Sequence, residues 1–172
     1  MIIENLIPVG KQDEIEKIFT SDIFPWYFNE TTVNGNYNSG FQFVHRVFDN
    51  GKVVSDLFPR LVQIMDNFQE KSRLKIKEIV RVKANLLTPV VLSSSTILNT
   101  FHRDVDSDSD TSCVSLIYYV TESDGDTVIL DHIPISPVKG RAVYFNSSLM
   151  HRATNPVNFK RRIILNFVFK VK

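Results

Sequence analysis

The chain has 172 residues, a formal net charge of +1 and one cysteine; this is enough to bury a core as one domain, without the positive field that gathers polyanions, which argues against a nucleic-acid partner. Cys113 alone excludes an internal disulfide or a cysteine-built zinc site and fits a reducing compartment. Hydrophobic content of 43%, a start (MIIENLIPVG) without a basic-then-apolar leader, and no apolar run of about 18 residues predict a cytoplasmic globular protein with no membrane span.

Along the chain, Ile15, Ile18 and Phe19 fall at helical spacing within residues 11–20. Phe24-Pro25-Trp26-Tyr27 reads as an aromatic cluster at a loop. Asn34-Gly35 and Asn50-Gly51 signal turns around a strand at Phe41–Val44. A second helix is predicted over 55–70. Ser55 is its candidate N-cap, Pro59 lies near its first turn, and Leu57, Leu61, Ile64, Met65 and Phe68 form its apolar stripe. From residue 76 the texture changes to short β-like runs at 76–85, 96–101, 114–120, 127–133, 142–145 and 163–171, separated by Ser, Asp, Gly and Pro. Helices ahead of such strands would cover one face of a sheet, which predicts a mainly β, α+β domain.

His102-Arg103-Asp104 carries the chemistry. On a strand, residues two apart share a face, so His102 and Asp104 can reach one metal while Arg103 points away. His151 follows the turn and strand at Val138–Phe145 and supplies a second imidazole. Two neutral imidazoles and one carboxylate suit Fe(II), occupying one face of an octahedron and leaving the other positions open. Arg161-Arg162 lies just beyond and offers a guanidinium to an acidic co-substrate. Asp104, Asp106, Asp108 and Asp110 alternate as in a calcium loop, but Ser109 stands where the glycine belongs and Ser115 where the glutamate belongs, so the later aspartates read as a solvated loop. Asp131 and His132 read as an exposed turn before Pro134, and His45 as structural or at a cleft edge.

These residues resemble the Fe(II)- and 2-oxoglutarate-dependent oxygenases, whose pattern is His-x-Asp, His and Arg on a double-stranded β-helix, or jelly roll. Ile117-Tyr118-Tyr119-Val120, Asp124-Gly125-Asp126-Thr127, Pro137-Val138-Lys139-Gly140-Arg141 and Arg162–Phe167 are similar to successive motifs of the prolyl-4-hydroxylase branch. The glycine pair of that branch is reduced to Gly125, and Ile164 replaces a serine. The first half, with Phe24–Tyr27 and Phe41–His45, is similar to small oxygenases of phages and marine environmental sequences. The resemblance implies one oxygenase domain over 1–172, with a helical support region at 1–75 and a jelly-roll core at 76–172.

It also implies a site. His102, Asp104 and His151 would hold Fe(II), and the co-substrates would be 2-oxoglutarate and O2. Arg162 or Arg161 would pair with the far carboxylate of 2-oxoglutarate. Arg162 is favoured because Asn166 shares its strand face and would donate to the same group. Tyr119 is the expected second partner of that carboxylate. The substrate would be a small molecule or a peptide, with a prolyl side chain as the branch's suggestion. Residues 87–100 and a mobile loop at 105–112 would frame the mouth. A non-catalytic phage jelly-roll module and a cupin-type metal enzyme compete with this reading. The intact ligand set weighs against the first, and the basic residue after His151 against the second.

Overall fold

The computed structural model describes residues 1–32, 40–90, 99–105 and 112–172. In chain order the elements are β1 (Ile2–Ile3), α1 (Val9–Phe19), β2 (Tyr27–Asn29), β3 (Gln42–Asp49), β4 (Lys52–Val53), α2 (Phe58–Ser72), β5 (Ile76–Leu87), β6 (Cys113–Tyr119), β7 (Thr127–Ile129), β8 (Ala142–Asn146), β9 (His151–Ala153) and β10 (Arg162–Val171). An eight-stranded antiparallel sheet runs β1-β8-β6-β10-β5-β3-β2, with β4 paired to β3. Facing it, β7 pairs with β9, and single bridges join Thr127 to Ile135 and His102 to His151. These two layers make the jelly roll, with both helices packed on the outer face of the large sheet.

Alternation decides which side chains meet which layer. On β10, Ile163, Leu165, Phe167 and Phe169 enter the main core with Leu116 and Tyr118 of β6 and the helix residues Ile15, Phe19, Leu61, Ile64 and Phe68. Phe68 stacks on Phe169 at 5.8 Å and meets Tyr144 edge-on at 5.3 Å. The opposite face of the same strands packs Ile117, Tyr119 and Ile164 against Ile129, Val143 and Phe145 between the sheets. The expected apolar stripe of the second helix is therefore real, though the helix begins two residues after its expected cap region. Leu57 is the N-cap, and the Ser55 hydroxyl is occupied by the backbone N–H of Leu57 and by His45.

Several other boundaries differ from expectation. The run at 127–133 is a strand only to Ile129, because Asp131 adopts a left-handed φ of 63° and turns the chain. His151–Ala153, Ile2–Ile3, Tyr27–Asn29 and Lys52–Val53 are short strands without an alternating pattern long enough to read. Residues 99–101 are not strand, and the rest of the run expected at 96–101 lies outside the described residues, as do the Asn34-Gly35 turn, most of the loop at 105–112 with its later aspartates, and part of the 87–100 mouth segment. Residues 1–75 add β1, β2, β3 and β4 to the large sheet in addition to the two helices. Gly140, at φ 81°, closes the turn before β8 against Gln12 of α1, whose side chain occupies the place a Cβ would take. Among the described residues no helix is long and apolar enough to cross a membrane.

Candidate active site

The small sheet brings the three expected ligands together. His102 and His151 are backbone partners, each N–H donating to the other's carbonyl at 2.9 Å. The Asp104 N–H donates to Ser147 O at 3.1 Å and hangs the carboxylate beside them. One donor atom from each of His102, Asp104 and His151 lies within 4.8 Å of the others. His151 Nδ1–H donates to Leu149 O at 2.9 Å, which leaves its Nε2 lone pair 3.6 Å from Asp104 Oδ2. Two ligands ~2.1 Å from a metal and at right angles lie ~3 Å apart, so this spacing is close to that of adjacent octahedral positions. Burial and the neighbouring His151 push the His102 pKa down to about 4, so its ring is neutral at pH 7. Burial by itself would raise the Asp104 pKa, but His151, Arg81, Lys83 and the Ser115 hydroxyl hold the carboxyl well below the usual range. Two imidazole nitrogens and one carboxylate oxygen are a donor set that Fe(II) fits.

The carboxylate is held by side chains of the large sheet. Ser115 donates to Asp104 Oδ2 at 2.6 Å and lies 2.9 Å from the Ser147 hydroxyl. Arg81 Nη2 meets Asp104 Oδ1 at 2.5 Å, and Asn166 Nδ2 lies 3.4 Å from both carboxylate oxygens. Neither Arg81 nor Ser115 is visible as a site residue in the sequence. The register explains them: Val168 of β10 pairs with Arg81 on one side and with Ser115 on the other, which sets both beneath the triad.

A cleft runs from the triad to Arg162 and is lined by Ile117, Thr127, Ile164 and Asn166 among others. Arg162 is 2% exposed, whereas Arg161 is exposed on the surface. Strand phase decides this, because the Ile163–Phe169 face is taken by the main core and Arg162 falls on the other. Arg162 Nε donates to Gly125 O at 2.6 Å, and Nη2 donates to Thr127 Oγ1 at 2.7 Å. Gly125 has to be a glycine here, since a Cβ would lie 2.5 Å from Thr154 O and 3.0 Å from Arg162 Cδ. Burial works against the Arg162 charge, and no carboxylate of the described residues pairs with it. A buried guanidinium without a counter-ion favours an anionic ligand.

Two expected partners sit elsewhere. Tyr119 does not line the cleft; its hydroxyl donates to Thr127 Oγ1 at 2.8 Å, so it reaches the cleft only through Thr127. Asn166 shares the face of Arg162, but four residues of strand separate them by ~13 Å, and its amide lies at the Asp104 end. Thr127, within a motif already singled out, thus receives hydrogen bonds from both Arg162 and Tyr119. Asn85 Oδ1, Asn99 Oδ1 and Asn166 Oδ1 are buried without a partner among the described residues, and all three line this cleft. Buried acceptors left unsatisfied are rare in folded proteins and mark where a ligand or water belongs. His45 is structural: Nδ1–H donates to Pro25 O at 2.9 Å and Nε2 accepts from Ser55 at 2.8 Å. Asp131 and His132 are exposed, in the turn after β7.

Residues 97–170 match the model of the 2OG-Fe(II) oxygenase superfamily. No curated protein matches the chain by sequence. The fold is similar to that of a viral collagen prolyl hydroxylase from Paramecium Bursaria Chlorella virus-1 in a 2OG complex (TM-score 0.60, 15% identity, 100% of this chain and 96% of that chain). It is similar to a Pseudomonas putida prolyl-4-hydroxylase (TM-score 0.64, 16% identity, 99% and 91%). It is also similar to HygX from Streptomyces hygroscopicus, solved with nickel and 2-oxoglutarate (TM-score 0.66, 12% identity, 99% and 82%).

Proposed function

We propose that the chain, whose residues 97–170 match the model of the 2OG-Fe(II) oxygenase superfamily, is such an oxygenase in one domain, in which His102, Asp104 and His151 hold the iron and Arg162 anchors 2-oxoglutarate. The observation that carries this is the shared cleft: a cluster of three possible ligands at one end and, at the other, a buried guanidinium with no carboxylate partner among the described residues. When bound, Fe(II) with 2-oxoglutarate and O2 supplies the oxidation, in which a substrate C–H becomes C–OH while 2-oxoglutarate leaves as succinate and CO2.

The chain's own residues bind, orient and exclude water. His102 and His151 would supply nitrogen donors to the metal, and anionic Asp104 would offset part of its charge. Ser115 and Arg81 hold the Asp104 carboxylate in orientation, as outer partners of metal ligands do. Arg162 offers a planar fork to the far carboxylate of the co-substrate. Because the Thr127 oxygen accepts from Arg162 and Tyr119, its own hydrogen is available to donate to that carboxylate. Ile117 and Ile164 supply apolar surface along the intervening cleft.

The substrate is a small molecule or a peptide. Similar folds include prolyl hydroxylases, one of them solved with a hypoxia inducible factor peptide fragment, and this supports keeping a prolyl side chain in the test panel. The deciding experiment is conversion of 2-oxoglutarate to succinate by the purified protein with Fe(II) and ascorbate. Succinate that requires added iron and disappears with a chelator is the expected result. Equal succinate with and without iron, or none under any condition, overturns the reading.

A further inference from the structure

A second cleft opens beside the first and shares Thr32, Gln42, Lys83 and His102 with it. Among the described residues its lining includes Arg46, Arg81, Lys83 and Arg103 against Asp49 and Asp104. Both carboxylates are already engaged: Asp49 pairs with Arg46 at 3.1 Å and Asp104 with Arg81 at 2.5 Å. Lys83 has no hydrogen-bond or ion-pair partner among the described residues, although it is half-buried where the two clefts meet. Burial and the adjacent Arg81 lower its pKa to about 8. A solvated surface lysine would show no such effect.

The register gives Lys83 its place. Ile117, Asn166, Lys83 and Arg46 form one cross-strand row over β6, β10, β5 and β3. Asn166 contacts Asp104, and Lys83 stands one strand further out, about 4.8 Å away in the pairing direction. Arg162 lies four residues along β10 from that row, so the two cations without carboxylate partners serve different parts of the space around the triad.

We propose that Lys83 anchors an anionic group, a carboxylate or a phosphate, of the primary substrate, and so presents a neighbouring C–H to the triad. This rests on reading the cleft as the oxygenase site. The ammonium supplies the charge, and Arg46 at the outer end of the row adds to it.

The test uses the whole protein, with and without zinc (which does not react with O2) and 2-oxoglutarate. It is titrated with inorganic phosphate and separately with acetate, and the backbone amide resonances of Arg46, Lys83 and Asn85 are followed by NMR. Saturable shifts are expected with at least one anion, weakened ten-fold or more in Lys83→Met and retained in Lys83→Arg. A response to phosphate alone selects phosphorylated substrates, and one to acetate alone selects carboxylates. The absence of saturable shifts with both anions overturns the proposal, as does a Lys83→Met protein that titrates like wild type. Loss of 2-oxoglutarate affinity in Lys83→Met equal to that in Arg162→Met also overturns it, by reassigning Lys83 to the co-substrate. Succinate formation is scored separately, so a silent oxygenase assay alongside an intact anion titration would fault the activity and leave the anion site standing.

Discussion

The two sheets of the jelly roll are held together very differently. The large sheet pairs β10 with β5 and β6 along most of their length and buries Phe167, Phe169, Leu116 and Tyr118 under two helices. The small sheet has two three-residue strands and two single bridges. Yet the small sheet brings His151, Thr127 and, through its bridge, His102 to the site. The large sheet contributes Arg162, Asn166, Ser115 and Arg81 from its inner face. The proposed metal donors are thus gripped by a few local backbone bonds, while the groups proposed to orient them and to bind anions stand on the larger sheet. One sheet gives the chemistry and the other the precision and most of the stability.

Substitutions can separate these contributions. The largest effect is expected from His102→Ala, which should reduce iron-dependent succinate formation to background while unfolding stability in urea changes by less than about 1 kcal/mol, since no main-core contact is lost. Full turnover by that variant would break the metal assignment. Phe167→Ala, on the helix side of the large sheet, should cost about 3–5 kcal/mol in the same urea measurement; a loss below about 1 kcal/mol would show that the platform is not where stability resides. Arg162→Met should raise the KM for 2-oxoglutarate by about 100-fold, roughly 2.7 kcal/mol, while Arg161→Ala leaves it within about two-fold. Equal effects of the two would erase the distinction drawn from strand phase. The smallest change is expected for Ser115→Ala, which removes one hydrogen bond to Asp104 and should weaken iron binding about ten-fold; unchanged iron affinity in a metal titration would detach Ser115 from the site.

Much of this site was legible before any coordinates. His102 and Asp104 share a strand-like spacing, and His151 and the arginine pair follow at family-like positions. The apolar stripe Leu61, Ile64, Met65 and Phe68 announced α2 because helical periodicity is a local property of the chain. What failed to show was contact across strands. Ser115 appeared only as the wrong residue for a calcium loop, yet it donates to the metal-site carboxylate. Lys83 and Arg81 lie in a run that reads as an ordinary strand. Tyr119 and Asn166 were placed on the correct faces, but their partners depend on how far along each strand the site lies, and one-dimensional spacing does not carry that information.

By itself the amino-acid order determined the element types, the alternation of β6 and β10, and the candidate ligands His102, Asp104 and His151, whose donor chemistry suits a ferrous ion. Tertiary structure decided which arginine is buried, which hydroxyl meets which carboxylate, and that Lys83 stands at the mouth without a hydrogen-bond or ion-pair partner among the described residues. The reason is physical: side-chain periodicity is set by the local backbone, whereas register between strands distant in sequence is set by the packing of the whole core, and only register brings Ser115, Arg81 and Asp104 within hydrogen-bonding distance.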